Sequence, residues 1–471
     1  MADAPWLDDA CSLVDAYRRG DFSPPEQLEA TIAAVESSGL NAVCHTDFDR
    51  AREAAATADV SLPFGGVPIA VKELDPVRGW PASRASLVLA GKTWDFDLTP
   101  VTRLREAGAI TTVQTTASEF GGINCTTTKM HGTTRNPWNP ERTPGGSSGG
   151  TAAGVAGGLF TLGTAGDGGG SIRIPGGFTG LFGLKVTMGR VPKGPHADFG
   201  SFTTVMGCLS RSVRDTARYL DVANGYDPHD PQSLPRVEGW EAGLGSTDLA
   251  GLRVAILPDL GGAARVRSDV AEMVASAGEE LAAGEGMKLV EVEIDLPAGS
   301  MEWGLAGMAG LYADLADIYP ACEEDLTMEI AFLLNVAWHE FSLRTAAAVE
   351  TYRRRLNEAM ASLFEQADVI VASSNPDVAF AAEGPLPTTI DGVDLIADLG
   401  FERGVQNNGA LTIPSNLVGN PAASVPVGLV DGLPVGMQLI AAHHREALLL
   451  DLALASERER PWPKVAPAAP C

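Results

Sequence analysis

The sequence predicts an α/β fold in which a central mixed β-sheet is covered by helices on both faces. Three observations predict it. Short apolar runs alternate with amphipathic segments along the chain. A length of 471 residues, 45% of them hydrophobic, allows a sizeable core, and 20% charged residues suit a globular protein. The chain also has no internal repeats and no low-complexity linker.

The predicted elements follow from local patterns, taken here in chain order. Amphipathic periodicity and small-residue content predict helices at 7–19, at 25–37 after Ser23-Pro-Pro, at 48–59, at 149–163, at 270–282 and through a long stretch at 327–365. Apolar runs rich in β-branched residues predict strands at 67–72, 109–114, 253–257, 288–293, 369–372, 423–427 and 435–440. The segment 224–246, rich in Pro, Asp and Gly, is the best candidate for a domain boundary. We interpret it as a long loop within one domain and not as a linker between two domains.

Charge and composition exclude several classes of protein. The formal net charge of −26 argues against nucleic acid as a direct partner, because phosphate binding needs clustered Lys and Arg. No apolar run is long enough to span a bilayer, and the acidic N-terminus lacks the plan of a secretory signal. We therefore expect a cytoplasmic protein with no membrane partner.

Cysteine and histidine spacing predicts neither a disulfide framework nor a metal site. The cysteines have no C-x-x-C spacing, which favours reduced thiols, and the histidines form no H-E-x-x-H. His443-His444 is expected in a surface turn after a strand. The six cysteines are Cys11, Cys44, Cys125, Cys208, Cys322 and Cys471. We expect Cys125 and Cys208 to be buried, and we expect no metal and no cofactor.

Two glycine-rich loops that contain serines carry the chemistry. They are Thr143-Pro-Gly-Gly-Ser-Ser-Gly-Gly-Thr151 and Gly166-Asp-Gly-Gly-Gly-Ser-Ile-Arg-Ile-Pro175. Glycine has no Cβ, so backbone N–H groups in such loops can turn toward an anion or a developing oxyanion. Serines among such donors indicate acyl-transfer chemistry.

Upstream of both loops, Lys72 ends an apolar strand. A lysine in such a place usually reaches water or pairs with a carboxylate, and Glu73 is an available partner. Alternatively, burial lowers the pKa of the amine, and a neutral amine is a competent base.

Together these segments resemble the amidase signature family, the serine amidohydrolases with a Ser–cis-Ser–Lys triad. The resemblance covers nearly the whole chain and rests on five stretches: Gly66-Val-Pro-Ile-Ala-Val-Lys72, Gly132-Thr-Thr-Arg-Asn-Pro-Trp-Asn139 running into Pro144-Gly-Gly-Ser-Ser-Gly-Gly150, Gly169-Gly-Ser-Ile-Arg-Ile-Pro175, Asn416-Leu-Val-Gly-Asn-Pro421, and Gly432-Leu-Pro-Val-Gly-Met-Gln-Leu439. It implies the amidase signature fold as a single domain over 1–471. The catalytic core would cover about 62–195, and a variable region of about 195–410 would supply the cleft walls.

The resemblance also implies the catalytic roles. Ser171 would be the nucleophile, and Ser147, joined to Gly146 by a cis peptide bond, would take its proton. Lys72 would be the base for Ser147. The expected function is hydrolysis of the carbon–nitrogen bond of a small or linear amide through an acyl-enzyme, by a protein that acts alone or as a homodimer.

Further residues take supporting roles in this reading. The backbone N–H groups of Gly168, Gly169, Gly170 and Ser171 would hold the oxyanion, and the backbone of Gly121, Gly122 and Ile123 would meet the substrate, although that segment could equally be an ordinary loop. Ser148 would form a local hydrogen bond. Asp167 would orient the loop or form an Asx turn, and Arg173 would pair with a buried acid such as Asp167. Three places depart from the family pattern: Gly166 stands where Ser or Thr is common, Glu73 stands where Asp is common, and Pro175-Gly-Gly-Phe178 replaces the usual Pro-Ala-x-x.

Three alternatives remain at this stage. Gly145-Gly-Ser-Ser-Gly149 fits the G-x-S-x-G pattern of α/β-hydrolases, but no strand is predicted before it. A glutamine-hydrolysing amidotransferase subunit would share the triad and need a partner chain, although such subunits often have Gln where this chain has Ile174. A nucleotide-binding protein would need a G-x-x-x-x-G-K-[ST] loop, which is absent from the sequence.

Overall fold

The computed structural model describes residues 5–197, 203–297 and 301–467. Within these ranges, eleven strands form one mixed sheet in the order β1-β3-β2-β6-β8-β7-β14-β15-β11-β9-β10, and four short strands form two small ladders. The strands are β1 (Val43–Thr46), β2 (Pro68–Lys72), β3 (Ile110–Thr115), β4 (Thr127–Thr128), β5 (Gly132–Thr133), β6 (Leu162–Asp167), β7 (Phe182–Lys185), β8 (Val205–Ser210), β9 (Arg253–Ile256), β10 (Lys288–Leu289), β11 (Val369–Ser373), β12 (Thr389–Ile390), β13 (Val393–Asp394), β14 (Ala422–Val430) and β15 (Leu433–Ala441).

The helices lie between these strands along the chain. They are α1 (Ala10–Arg19), α2 (Pro24–Ser37), α3 (Phe48–Ala56), α4 (Thr99–Glu106), α5 (Gly149–Ala156), α6 (Arg173–Thr179), α7 (Val213–Ala223), α8 (Ser268–Gly284), α9 (Met301–Leu315), α10 (Met328–Glu340), α11 (Leu343–Gln366), α12 (Leu395–Leu399), α13 (Phe401–Gln406), α14 (Ile413–Val418) and α15 (Glu446–Glu459). None of the helices in the described ranges combines the length and the apolar composition needed to cross a bilayer.

The predicted α/β class with a mixed sheet is confirmed. Strands β2 and β3 pair in parallel, as do β2 and β6, whereas β14 and β15 form an antiparallel hairpin. Every residue of β2, β3, β6, β8 and β11 is buried, so both faces of the sheet are covered there. The carboxyl ends of the parallel strands β2 and β6 consequently meet at one edge of the sheet.

Several element boundaries differ from the sequence-based prediction. The helix predicted at 149–163 ends at Ala156, because Gly158 adopts a left-handed conformation (φ +82°) and turns the chain into strand β6. Strand β6 escaped prediction because Gly, Thr, Ala and Asp give a weak strand signal. The stretch predicted at 327–365 is two helices, separated where the Ser342 side chain caps α11. The strand predicted at 288–293 is limited to Lys288–Leu289.

Helix α5 packs against the end of β3 at a distance that permits no side chain at Gly150. A Cβ atom there would lie 2.4 Å from Thr116 Oγ1 and 2.5 Å from the backbone nitrogen and oxygen of the same residue. Because backbone atoms form this contact, the helix cannot carry a larger residue without moving. This close approach fixes the position of the segment that immediately precedes α5.

We expect Gly150→Ala to lower the free energy of unfolding by about 1–3 kcal/mol, because the methyl group must displace backbone atoms of Thr116. Gly307→Ala in α9 is the matched control, since a Cβ atom there would have nothing within 4 Å. In that helix the loss of glycine should stabilise by about 0.5–1 kcal/mol. Chemical denaturation followed by circular dichroism measures both effects, and equal behaviour of the two variants would contradict the packing argument.

Candidate active site

Lys72 is the last residue of β2 and is 2% exposed. Its backbone N–H donates to Thr164 Oγ1 of β6 at 2.9 Å. Its side-chain Nζ lies 2.8 Å from Ser147 Oγ and 2.9 Å from Ser148 Oγ. The strand thus delivers the amine to two serine hydroxyls at the start of α5.

Ser147 is held through its backbone. The peptide bond between Gly146 and Ser147 is cis, as the resemblance implies. A Cβ atom on Gly146 would lie 2.7 Å from both Ile123 O and Cys125 N, so the neighbouring segment leaves room for glycine alone. The Ser147 carbonyl accepts a hydrogen bond from the Ser118 N–H at 3.2 Å.

Burial lowers the pKa of Lys72 to about 8, although the carboxylates of Asp75 and Asp167 act in the opposite direction. Asp75 is also fully buried, and burial raises its pKa to about 6 against the opposing effects of Lys72 and of a hydrogen bond from Thr164 Oγ1 at 2.6 Å. Burial thus brings the neutral form of the amine closer to the neutral pH range. Asp75 was not among the residues predicted from the sequence.

The loop that follows β6 is organised around the Asp167 carboxylate. Asp167 Oδ1 accepts a hydrogen bond from the Gly170 N–H at 2.7 Å, and Oδ2 accepts one from the Ile172 N–H at 3.2 Å. Arg173 Nη2 and Nε donate to the same two oxygens at 2.9 and 3.0 Å. Burial alone would raise the pKa of Asp167, but the Arg173 guanidinium and these hydrogen bonds hold it well below its usual range.

Arg173 is itself completely buried and is anchored by the C-terminal part of the chain. Its guanidinium donates to Thr412 O at 2.9 Å, to Gln438 Oε1 at 2.7 Å and to Asn416 Oδ1 at 2.5 Å. The Thr412 hydroxyl also donates to Gly169 O at 2.6 Å. The pairing of Arg173 with Asp167, expected from the sequence, is present. Its polar partners Asn416 and Gln438 belong to the two C-terminal motifs, which gave the only signal for them.

Ser171 lies in this loop and is partly exposed. It follows β6, whereas Lys72 ends the adjacent parallel strand β2, so both residues lie at the same edge of the sheet. The Ser148 hydroxyl bridges toward this edge by donating to Gly166 O at 3.4 Å. Within the described residues, no hydrogen bond joins the hydroxyls of Ser171 and Ser147.

One expected oxyanion donor is already engaged. The Gly170 N–H points at Asp167 Oδ1 rather than outward, because the loop wraps around that carboxylate with Gly170 at φ +130°. This differs from the expectation that Gly168, Gly169 and Gly170 all present their N–H groups to a substrate oxygen. The roles of Gly168, Gly169 and Ser171 as donors stay predictions, and Gly169 and Ser171 flank the engaged Gly170.

The segment Gly121 to Ile123 borders Ser147. A Cβ atom on Gly121 would lie 3.4 Å from Ser147 Oγ and 3.3 Å from Leu74 Cδ1. The N–H groups of Gly121 and Gly122 donate within the turn, to Ser118 O and Glu119 O. The side chain of Ile330 covers Gly122, so both glycines of this segment have an apolar neighbour.

The structure does not support the α/β-hydrolase alternative. In the part of the chain that the structure describes, residues 134–148 contain no strand that could lead into Gly145, and Ser147 contacts a lysine instead of a histidine.

His443 and His444 are exposed in the turn after β15, as expected. Cys125 and Cys208 are buried, also as expected. The five described cysteines form no disulfide, and Cys471 lies outside the described residues.

Comparison with known proteins gives a consistent result. The profile of the Amidase family matches residues 26–450. An acylamidase of Rhodococcus erythropolis is 32% identical over 98% of this chain and 97% of its own length. A glutamyl-tRNA(Gln) amidotransferase subunit of Lacticaseibacillus paracasei is 30% identical over 96% of each chain. The crystal structure of a bacterial aryl acylamidase of the amidase signature family superposes with a TM-score of 0.90 at 26% identity, covering 99% of both chains.

We expect Arg173→Leu to lower the free energy of unfolding by about 3–5 kcal/mol, because it leaves the buried Asp167 carboxylate without its cation. Arg253→Leu is the matched control. It also removes an arginine–aspartate pair, with Asp368, but Arg253 is 39% exposed and the loss should be about 0–1 kcal/mol. Urea denaturation of both variants tests this, and a small effect at Arg173 would show that the pair does not hold the loop.

Proposed function

The chain belongs to the amidase signature family, and from this premise we propose that it is an amidase that hydrolyses a carbon–nitrogen amide bond through an acyl-enzyme on Ser171. The observation that carries the proposal is the buried contact of 2.8 Å between Lys72 Nζ and Ser147 Oγ. A lysine whose pKa is lowered to about 8, directly beside a serine hydroxyl, is suited to remove a proton.

Proton transfer in the proposed mechanism runs from Ser171 through Ser147 to Lys72. As Ser171 Oγ attacks the amide carbonyl, its proton passes to Ser147, whose own proton passes to the neutral Lys72 amine. The resulting tetrahedral intermediate expels the amine, which takes a proton back from Ser147 while Lys72 returns one to Ser147. Water then attacks the acyl-enzyme by the same route and releases the carboxylic acid.

The negative charge on the carbonyl oxygen would be stabilised by the N–H groups of Gly169 and Ser171. Each donor of this kind typically lowers the barrier by about 3–4 kcal/mol. The Asp167 carboxylate, tied to Gly170 and Arg173, would hold the loop in the required shape before the substrate binds. Asp167 and Arg173 thus act as positioning residues, and Ser148 positions Lys72 by accepting a hydrogen bond from its amine.

An apolar acyl group fits the surroundings of Ser147 best. Leu74 and Ile330 flank Gly121 and Gly122 beside the serine. The guanidinium of Arg84, which lies over the Phe120 ring, is already paired with Asp314, so we do not propose it as a partner for a charged substrate group. The similarity to an acylamidase supports an amide as the substrate. We propose that this substrate is a small or linear amide. The cleft walls would come from the region of about 195–410.

A second candidate is a glutamine-hydrolysing amidotransferase subunit that works with a partner chain. It is favoured by the 30% identity to such a subunit over 96% of both chains. Against it stand Leu74 and Ile330 beside Gly121 and Gly122, which offer no polar partner to the ammonium and carboxylate groups of a glutamine, and Ile174, where such subunits often have Gln. We therefore favour the enzyme that acts alone.

We expect Ser171→Ala to abolish amide hydrolysis and labelling by a fluorophosphonate, with a loss of at least about 10⁴-fold in rate. Ser147→Ala and Ser148→Ala form a matched pair, because both hydroxyls lie within 2.9 Å of Lys72 Nζ. The Ser147 variant should lose several orders of magnitude and the Ser148 variant far less. Fluorophosphonate labelling of Ser147 in the Ser171→Ala protein would instead identify Ser147 as the nucleophile.

We expect the rate of acylation to rise with pH and level off above an apparent pKa near 8, because protonated Lys72 cannot accept the Ser147 proton. Asp75→Asn should move this rise to lower pH, since the Asp75 carboxylate favours the charged lysine. Asp368→Asn, which removes a partly buried carboxylate paired with Arg253, is the control and should leave the profile in place. A profile that does not respond to Asp75→Asn would contradict the assignment of Lys72 as the titrating base.

We expect the purified chain, without partner, nucleotide or added metal, to hydrolyse a simple carboxamide such as benzamide and release ammonia. A chelator should leave the rate unchanged, because the proposed proton path uses side chains alone. An ammonia assay on the single chain measures this directly. Hydrolysis that required ATP and a second protein chain would establish the amidotransferase function instead.

A further inference from the structure

A second cluster of reactive side chains lies on the other side of Lys72. It consists of Cys44 on β1, Glu73 directly after β2, and His131 just before β5. One ligand atom from each residue lies within 4.8 Å of the other two. Glu73 follows Lys72, and consecutive side chains at a strand end point to opposite sides. We refer to these three residues as the Cys44–Glu73–His131 cluster.

The Glu73 carboxylate is completely buried and incompletely satisfied. Its Oε1 accepts a hydrogen bond from the Ser83 hydroxyl and lies 2.8 Å from His131 Nε2. Its Oε2 is buried and has no hydrogen-bond partner among the described residues. A buried carboxylate oxygen without a partner is costly and is rare in folded proteins. This oxygen therefore requires a physical explanation.

We propose that Cys44, Glu73 and His131 bind a zinc ion. Thiolate, imidazole and carboxylate are the three ligand types that zinc uses in proteins. A thiolate and a carboxylate also supply two negative charges, which balance a divalent cation. On binding, the Cys44 thiol gives its proton to solvent, and its sulfur, His131 Nε2 and a Glu73 oxygen each donate an electron pair to the metal.

The distances allow this arrangement after a small side-chain movement. Ligand atoms on one tetrahedral zinc ion lie about 3.3–3.8 Å apart, given bonds of about 2.0–2.3 Å. The observed limit of 4.8 Å thus requires a shift of about 1 Å. The fourth position would be open to water. The Cys44 thiol donates to Gln114 O at 3.4 Å and to Gln114 Oε1 at 3.9 Å, and it gives up these hydrogen bonds when the sulfur binds the metal.

The site is separate from the proposed chemistry and does not depend on it. Ser147 contacts Lys72, whereas the cluster joins β1, the end of β2 and the turn before β5. The His131 side chain is 16% exposed and offers the route by which an ion enters. A bound ion would tie these three segments together next to Lys72.

The test uses the full purified chain under reducing conditions, freed of metal by a chelator and then titrated with Co²⁺ as a spectroscopic probe. We expect one Co²⁺ per chain, a thiolate-to-cobalt absorption band, and loss of that band when Zn²⁺ displaces the cobalt. Cys44→Ser should abolish the band, and His131→Gln should weaken binding at least about tenfold. Cys322→Ser, which replaces another partly buried free cysteine, and His443→Gln are the matched controls and should retain binding.

A second measurement keeps the proposal falsifiable if a variant misfolds. In the unmodified chain, Zn²⁺ should slow the alkylation of Cys44 by a thiol reagent, followed by mass spectrometry, and should leave the alkylation of Cys322 unchanged. The proposal is overturned if the chain takes up no stoichiometric metal, if the cobalt band survives Cys44→Ser, or if Zn²⁺ protects neither cysteine. In each of those cases the cluster is a hydrogen-bond network of Ser83, Glu73 and His131. Amide hydrolysis is not a readout, so its absence would not affect this result.

Discussion

The shape of the loop that carries Ser171 depends on one buried carboxylate. Asp167 accepts hydrogen bonds from the backbone of Gly170 and Ile172 and pairs with the guanidinium of Arg173. Neither charged side chain is exposed to solvent, so each ion is stabilised by the other. If the loop changed conformation and broke this pair, a buried ion would be left without a partner. The glycines make the turn sterically possible, but the carboxylate selects one conformation from the many that glycine allows.

A second constraint acts on Lys72, where burial and charge oppose each other. Desolvation favours the neutral amine, while the carboxylates of Asp75 and Asp167 favour the charged one. The balance leaves the amine close to its midpoint in mildly alkaline solution, which suits a group that must both accept and return a proton. Asp75 opposes the lowering of the Lys72 pKa, and under the proposed mechanism it would help the amine to hold the proton that it accepts.

Gly146 shows how a local steric constraint can be recognised from the sequence. A Cβ atom on Gly146 would come within 2.7 Å of the Ile123 carbonyl oxygen, so this position must be glycine. Such a glycine is visible in the sequence as part of a glycine-rich motif. The role of Asp75 could not be predicted in this way, because it depends on contacts with Thr164 and Lys72, which lie on two adjacent strands. Strand β6 was missed for a related reason: its residues are selected by burial between β2 and β8 and not by strand propensity. The sequence predicted that Asp167 orients the loop, but it gave no sign that the carboxylate engages the N–H of Gly170, a predicted oxyanion donor.

The anchoring of Arg173 has a consequence for the order in which the protein is made. Its partners Thr412, Asn416 and Gln438 lie 239, 243 and 265 residues further along the chain. A ribosome that has synthesised Lys72, Ser147 and Ser171, the proposed catalytic residues, has therefore not yet synthesised the groups that anchor Arg173 beside the Ser171 loop. The Ser171 loop therefore lacks its C-terminal anchor until β15 emerges, and closing a loop of this length carries an entropic cost. Premature termination before Gln438 would consequently yield a chain that has all three proposed catalytic residues but an incompletely anchored Ser171 loop.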